Sequence, residues 1–260
     1  MPEGIEIEYY RRLAERVLDR RVVAVDAPDP WFLKGGLIGG ALADAVVGRH
    51  FVAARRVGKL LLLDTDADGP TVGLRFGMTG RLIVDGVAGV DDLQYSSQRD
   101  EPAWDRVAFH FDAGDLRIRD PRRLGGVVLD PDELSLGFDL LTISAAQLRR
   151  ALAGSTAPVK ARLMDQARVA GVGNLIADEV LWRAGIDPAR EAGSLSDPEI
   201  RRLHKHLRAG VGAMIERGGS HTGDLFAERR PGGRCPRDGA PLVRRTVGGR
   251  TTWSCPRHQR

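Results

Sequence analysis

Leu163-Met164-Asp165-Gln166-Ala167-Arg168-Val169-Ala170-Gly171-Val172-Gly173-Asn174 is the stretch on which the reading of this chain turns. It separates two segments of helical periodicity, 158–164 and 174–183, with glycines as the punctuation between them. The Gly171 to Asn174 turn exposes backbone N–H groups at a helix start, a natural phosphate seat, and Lys160 on the preceding helix would join it. Taken alone, Gly-x-Gly fits a plain helical turn equally well. Helical texture continues outward through 145–153 and 197–217, and a polar, turn-rich stretch at 131–144 closes it off on the amino-terminal side. Before that boundary, short apolar or alternating runs at 22–25, 60–63, 71–74, 81–84, 107–111, 116–118 and 126–129 read as strands between Gly and Asp-Gly turns. Many short strands in about 110 residues predict a β-sandwich, with one helix at 38–47 and another at the amino terminus. After the helices, 218–260 is rich in glycine and arginine, poor in hydrophobics and holds both cysteines, so it cannot bury a core of its own. The fold class is therefore multidomain α+β: a sandwich over 1–130, a helical domain over 131–220 and a small appendage over 221–260.

Composition narrows the function classes. A chain of 260 residues with 42% hydrophobic content can build one large or two modest cores. No apolar run reaches the roughly 18 residues of a membrane span, and the amino terminus is acidic where a signal peptide would be basic. A cytoplasmic protein without membrane contact is expected. The net charge of +4 agrees with a polyanion partner without requiring one, but the distribution says more. From Arg229 onward there are nine arginines and one acid, Asp238, a tail suited to phosphate. Only four of the 39 basic side chains are lysines, Lys34, Lys59, Lys160 and Lys205. Arginine cannot give up its proton, so a site needing a titratable ammonium must use lysine, although drift explains any single one as well.

The chain opens Met1-Pro2-Glu3-Gly4-Ile5-Glu6. Removal of Met1 would leave the ring nitrogen of Pro2 as the terminal amine. Such an amine titrates near pH ~7.7–8, against ~10.4 for lysine, so far more of it is nucleophilic at neutral pH. It can attack C1′ of a deoxyribose. Helical spacing places Glu3 and Glu6 on one face, one able to exchange protons with the sugar and the other to orient the site. The plainer reading of the same residues is a helix start, with proline in the first turn and acids complementing the dipole.

Four separated motifs, in order, resemble the formamidopyrimidine-DNA glycosylase and endonuclease VIII family over nearly the whole chain. Pro2-Glu3-Gly4-Ile5-Glu6 is similar to that family's Pro-Glu-x-Pro-Glu start, with Ile5 in place of the second proline. Arg55-Arg56-Val57-Gly58-Lys59 is similar to its hairpin lysine. Gly77-Met78-Thr79-Gly80 and Asp120-Pro121-Arg122-Arg123-Leu124-Gly125 resemble the segments that fill the gap left by a flipped nucleotide. Leu163 to Gln166 with Gly171 to Asn174 resembles the helix-two-turn-helix signature.

The resemblance implies that Pro2 forms an iminium at C1′, that Glu3 protonates the sugar oxygen and later helps remove a proton from C2′, and that base loss is followed by β- and δ-elimination. It implies Lys59 as phosphate contact and proton donor. An extracted base leaves a hole and an orphaned partner, and Met78, Arg122 and Leu124 are the candidates to occupy it. Leu124 stands where formamidopyrimidine-type members usually carry phenylalanine, so an apolar wedge replaces an aromatic one. Lys160, Gly173, Asn174 and Arg250 are the implied phosphate contacts.

Cys235-x-x-Asp238 and Cys255-x-x-His258 keep the spacing and separation of the family's four-cysteine zinc ribbon, with Asp238 and His258 at the second and fourth positions. Both are legitimate zinc ligands, so zinc is the implied cofactor. A zincless finger held by its strands alone is the competing arrangement. A disulfide is the weaker alternative, because two lone cysteines in a cytoplasmic protein are usually reduced.

The sequence thus reads as a monomeric bifunctional DNA glycosylase and abasic-site lyase acting on oxidised bases in duplex DNA. Gly4 and the short segment after Gly218 resemble the endonuclease VIII branch, whereas the Gly-Met-Thr-Gly and Asp-Pro-Arg-Arg motifs resemble the formamidopyrimidine branch. The short segment leaves little room for a long base-capping loop, which tips the reading toward formamidopyrimidines and oxidised pyrimidines over 8-oxoguanine. A non-catalytic binder of damaged DNA is the rival, and a zinc-dependent regulator a third, without an identifiable recognition helix.

Overall fold

The computed structural model describes residues 2–66, 68–90, 93 and 99–260, and Met1 lies outside them. Two compact units emerge, one of Glu6–Glu133 with Pro2, the other of Leu134–Arg260 with Glu3–Ile5.

In the first unit, helix α1 (Gly4–Ala14) precedes β1 (Val22–Asp26), α2 (Gly39–Val46), β2 (Phe51–Val57), β3 (Leu60–Thr65), β4 (Thr71–Arg75), β5 (Arg81–Val84), β6 (Val87–Ala88), β7 (Asp105–Phe111), β8 (Asp115–Arg119) and β9 (Gly126–Leu129). The strands form two antiparallel sheets, ordered β2-β3-β4-β9 and β1-β7-β8-β5-β6. Alternate side chains of one sheet, among them Phe51, Leu61, Leu63, Val72 and Leu74, share a core with Val22, Leu82, Val107, Phe109, Leu116 and Ile118 of the other. Phe51 meets Phe109 edge to face at 5.5 Å. Tyr10 of α1 packs against Phe76 with the rings tilted and 4.6 Å apart, and donates its hydroxyl to Gly80 O, tying the helix to the turn that follows β4. The sandwich read from the sequence is the observed architecture. Strand β2 had no clear apolar signature because Arg55 and Arg56 sit in it, each neutralised by carboxylates: Asp64 and Glu133 for Arg55, Glu8 for Arg56.

The second unit holds β10 (Phe138–Asp139), α3 (Ala145–Leu152), α4 (Val159–Met164), β11 (Val169–Ala170), α5 (Asn174–Ala184), α6 (Asp197–Arg217) and the hairpin β12 (Val243–Val247) and β13 (Arg250–Ser254). The supposed boundary stretch 131–144 contributes β10, which pairs in parallel with β11. The hairpin does not stand apart as a third core. Trp182 of α5 packs with Leu225, Cys235, Leu242, Trp253 and Cys255, so the Arg-rich tail borrows its hydrophobic partner from the helical region. Left-handed glycines end the two long helices, Gly185 (φ 67°) after α5 and Gly218 (φ 107°) after α6.

Helix α6 starts on a capping box, with Glu199 accepting Ser196 N–H at 2.8 Å. Arg190 grips the same carboxylate through two bonds of 2.6 and 3.0 Å and is the main reason the Glu199 pKa is held down to about 2. A depressed carboxylate contributes stability above its unfolded pKa and loses it as pH falls through the folded value. Glu199→Gln should therefore cost about 1 kcal/mol at pH 7, discounted for solvent screening. The difference from the unmodified protein in urea melts should shrink below pH 4.5 and vanish near pH 2.

Candidate functional site

Glu3 precedes α1, so it does not share a helical face with Glu6 as the spacing predicts. Its carboxylate reaches the start of α5 and accepts N–H groups from Leu175 on Oε1 (2.8 Å) and from Gly173 (2.9 Å) and Ile176 (3.1 Å) on Oε2. A helix start leaves such donors without intrahelical partners, and a buried carboxylate with no exposed surface is a strong acceptor for them. Of the 171–174 turn that the sequence offered to a phosphate, the Gly173 N–H is spent on Glu3 and the Gly171 N–H on Gln166 Oε1. Gly173 is required for a steric reason: a Cβ there would stand 2.3 Å from Glu3 Cδ. Gly4 N–H donates to Gly171 O at 2.9 Å, and a Cβ on Gly4 would strike Leu140 at 2.1 Å. Gln166 holds the turn from beneath, donating to Met164 O and Val172 O and accepting from Gly171 N–H. Asn174, the first residue of α5, keeps a buried side-chain oxygen that meets no hydrogen-bond donor among the described residues. Pro2 and Glu6 are both buried.

Within the first unit, Lys59 occupies the two-residue turn between β2 and β3, where Gly58 supplies the positive φ of 57° and Val57 pairs with Leu60. Arg56 donates to Gly58 O at 3.0 Å and to Glu8 Oε2 at 3.2 Å, so α1 fixes the lysine turn. Burial alone would raise the Glu8 pKa, but Arg11, Arg12 and Arg56 together hold it below the usual carboxylate range. Glu8 escapes a sequence reading because it resembles any exposed helical acid.

The structure brings Met78 and the Arg122 to Leu124 loop together. Gly77 (φ 56°) lies so close under Leu124 that a Cβ would meet its carbonyl carbon at 2.5 Å. The fully buried Asp120 accepts the Thr79 hydroxyl together with the N–H groups of Arg122, Leu124 and Gly125, the last two at 2.8 Å. Arg122 and Leu124 are exposed, Leu124 by 51%, and Met78 is half-buried.

In the finger, Cys235, Asp238, Cys255 and His258 offer donor atoms that all lie within 4.8 Å of one another. Cys235 Sγ is 3.6 Å from His258 Nδ1, which is 3.0 Å from Asp238 Oδ2, and Cys255 Sγ is 3.3 Å from the same oxygen. Metal bonds of about 2.0–2.3 Å in a tetrahedron put neighbouring donors about 3.3–3.8 Å apart, so these four can hold a metal ion. Outer contacts orient them. His258 Nε2 bonds Trp182 O at 3.1 Å, leaving Nδ1 toward the cluster, and Ala240 N–H chiefly holds the Asp238 carboxyl below its usual range. Burial pushes the Cys255 thiol up. Gly248 and Gly249 (φ 57° and 71°) make the hairpin tip, beside which Arg250 is exposed.

Lys160 departs from its assigned role. It is fully buried, 2.7 Å from Asp178 Oδ1, and donates to Thr252 Oγ1 (2.7 Å) and Thr251 O (3.2 Å). Arg229 takes the other Asp178 oxygen at 2.8 Å. Burial drives the Lys160 pKa down despite Asp178. Its ammonium ties α4 and α5 to β13 and presents no surface to a phosphate. The missed signal was Asp178, whose place inside α5 gave no reason to expect a buried ion pair.

A protein with this sandwich, this turn-capped helix and this finger is built to work on DNA. The description "Formamidopyrimidine-DNA glycosylase N-terminal domain" matches residues 1–127, and "Formamidopyrimidine-DNA glycosylase H2TH domain" matches 136–225. The chain is 36% identical to the formamidopyrimidine-DNA glycosylase of Burkholderia vietnamiensis over the full length of both, and 35% identical to that of Paracoccus denitrificans over 98% of this chain and 99% of the relative. Among solved structures it is similar to Lactococcus lactis Fpg bound to N7-benzyl-Fapy-dG DNA and to DNA containing an oxidised pyrimidine. Both superpose with a TM-score of 0.83 at 26% identity over 99% of each chain. The chain belongs to the formamidopyrimidine-DNA glycosylase and endonuclease VIII family. It is a DNA-binding DNA glycosylase of base-excision repair, a family in which abasic-site lyase activity is characteristic.

Removing Lys160 would leave the buried Oδ1 of Asp178 without its cation, with only Arg229 on the other oxygen, so Lys160→Met should lower unfolding stability by about 3 kcal/mol in urea titrations. A lysine that served phosphate would behave differently, leaving stability intact and flattening the slope of log K against log salt by about one unit.

Proposed function

We propose that the chain is a bifunctional glycosylase and abasic-site lyase that acts as a monomer on duplex DNA. Residues 1–130 carry the chemistry, 131–220 the DNA-binding helices and 221–260 the finger. The observation that carries this reading is the capping of α5 by Glu3, which fixes the carboxylate one peptide bond from Pro2. Once Met1 is removed, the Pro2 amine attacks C1′ as the glycosidic bond breaks and the base leaves with a proton. Glu3 takes the N–H proton of the C1′ adduct and delivers it to O4′, the C1′–O4′ bond opens, and the iminium so formed acidifies C2′. Glu3, held as an acceptor, then takes the C2′ proton, the 3′ phosphate departs by β-elimination, and a second elimination releases the 5′ phosphate. Glu6 supports the start of α1, and Lys59 serves as phosphate contact and proton donor. Met78, Arg122 and Leu124 fill the space of the flipped nucleotide. Asn174, through its side-chain NH2, and exposed Arg250 contact backbone phosphate.

Zinc is the metal we assign to Cys235, Asp238, Cys255 and His258, where it would hold the open end of the hairpin and leave chemistry to other residues. For substrate class we favour formamidopyrimidines and oxidised pyrimidines. The L. lactis complexes, with a formamidopyrimidine and with an oxidised pyrimidine, support both.

Borohydride trapping on a lesion duplex should yield a covalent complex whose adduct maps by mass spectrometry to Pro2. An adduct on Lys59, or full activity in protein retaining Met1, would contradict the assignment. Glu3→Gln should lose at least about a hundredfold in base excision. It should keep more of its nicking of a preformed abasic site, where no base need depart. Elemental analysis should find one zinc per chain, absent in Cys235→Ala and depleted in Asp238→Ala.

A further inference from the structure

We infer that Asp29 is a positioning residue for the void-filling loop, clamping Arg123 so that the backbone carrying Arg122 and Leu124 is set before DNA arrives. The inference rests on the glycosylase reading above and concerns how the base opposite the lesion is read.

Arg123 lies between the two side chains assigned to the vacated space, and its own backbone is in the left-handed region at φ 56°. A side-chain-bearing residue there costs on the order of 1 kcal/mol and persists only where its surroundings determine it. Two carboxylates do so. Asp120 works from below, through the N–H groups of Arg122, Leu124 and Gly125. Asp29 works from the side. Its Oδ2 accepts Arg123 Nε and its Oδ1 accepts Arg123 Nη2, both at 2.7 Å, a bidentate fork that fixes the direction of the guanidinium as well as its distance.

Asp29 is itself held. It is 6% exposed, and its Oδ1 also caps Trp31 N–H at 3.1 Å. The segment that follows is pinned to the start of β9, just beyond the loop, by Lys34 N–H on Val127 O at 2.8 Å and a bridge between Leu33 and Val127. Arg106 links the Asp29 carboxylate to the Asp120 backbone, with Nη1 3.7 Å from Asp29 Oδ2 and Nε donating to the main-chain Asp120 O at 2.8 Å. Arg123 is half exposed, so packing does not explain its conformation, whereas the ion pair does. Neither Asp29 nor Arg123 needs to touch DNA for this role. Their effect passes through the orientation of Arg122 and Leu124.

The test compares Asp29→Ala, Asp29→Asn, Arg123→Ala and the double variant with unmodified protein. Excision is measured on duplexes carrying the lesion opposite each of the four bases, and covalent trapping on a single-stranded abasic oligonucleotide that has no opposite base. Asp29→Ala and Arg123→Ala should each lower kcat/KM on the preferred duplex about tenfold and compress the preference among opposite bases to about twofold. The double variant should be no worse than either single one, and single-strand trapping should be unchanged. With 2-aminopurine opposite the lesion, the fluorescence step that reports loop insertion should slow in parallel. Asp29→Asn, which keeps the shape and the Trp31 cap, should fall between, so the reading stands even if the alanine variant folds poorly.

Retained opposite-base preference in both Asp29→Asn and Arg123→Ala would overturn the inference. So would additive losses in the double variant, or an equal loss on the single-stranded substrate. Absence of cleavage and trapping by the unmodified protein would instead overturn the glycosylase reading on which it rests.

Discussion

Three N–H groups at the start of α5 converge on a carboxylate 170 residues earlier in the chain, and the rest of the site follows from that contact. A helix start normally satisfies its donors with a Ser, Thr, Asp or Asn at the cap. Here the cap is Gly173, which has no side chain to offer and, for the same reason, leaves room for Glu3 to enter. The missing cap and the distant acid are two halves of one device. A serine at 173 would serve its own helix and evict Glu3. Glu3, so fixed, is joined by one peptide bond to Pro2, the proposed nucleophile.

The same physics recurs at other loops. Asp120 gathers the N–H groups of the Arg122 to Gly125 turn, and Glu179, 2% exposed, gathers those of Asp224 and Leu225 while pairing with Arg183. A glycine again makes room: a Cβ on Gly223 would stand 2.7 Å from Glu179 Oε2. Asp178 does for the finger strand what Asp120 does for the loop, although through cations, Lys160 and Arg229. Buried acids shape each of these segments, and arginines and backbone amides answer them. A buried charge without such partners would cost several kcal/mol, so each acid fixes its surroundings tightly.

Much of this was legible in the sequence, for identifiable reasons. Strands announced themselves by period-two alternation, and helices α3 to α6 by apolar spacing and glycine punctuation. The metal-competent cluster was visible because ligand spacing within a finger is local. What stayed hidden was pairing at a distance. Nothing near Asp29, Glu8 or Asp178 says which cation each will meet, because an acid looks alike whether solvated or buried. The reading of 171–174 as a phosphate seat found the donor-rich helix start but not that the Gly173 N–H goes to Glu3, since that carboxylate lies at the other end of the chain. Lys160 was misplaced for the related reason that α4 offers no local acid to bury it. Strand β2 was obscured by arginines whose charges are neutralised across the sheet and from α1.

The central claim is that the α5 cap fixes Glu3, the residue bonded to the proposed nucleophile, and substituting Gly173 tests it most directly. Gly173→Ala drives a methyl into the space of the Glu3 carboxylate while leaving Pro2 and the side chains proposed to meet DNA unchanged. Single-turnover trapping of a preformed abasic site should slow by about a hundredfold, the cost of a displacement near 1 Å, while duplex affinity stays within about threefold. Trapping at the unmodified rate in a folded Gly173→Ala protein would contradict the account.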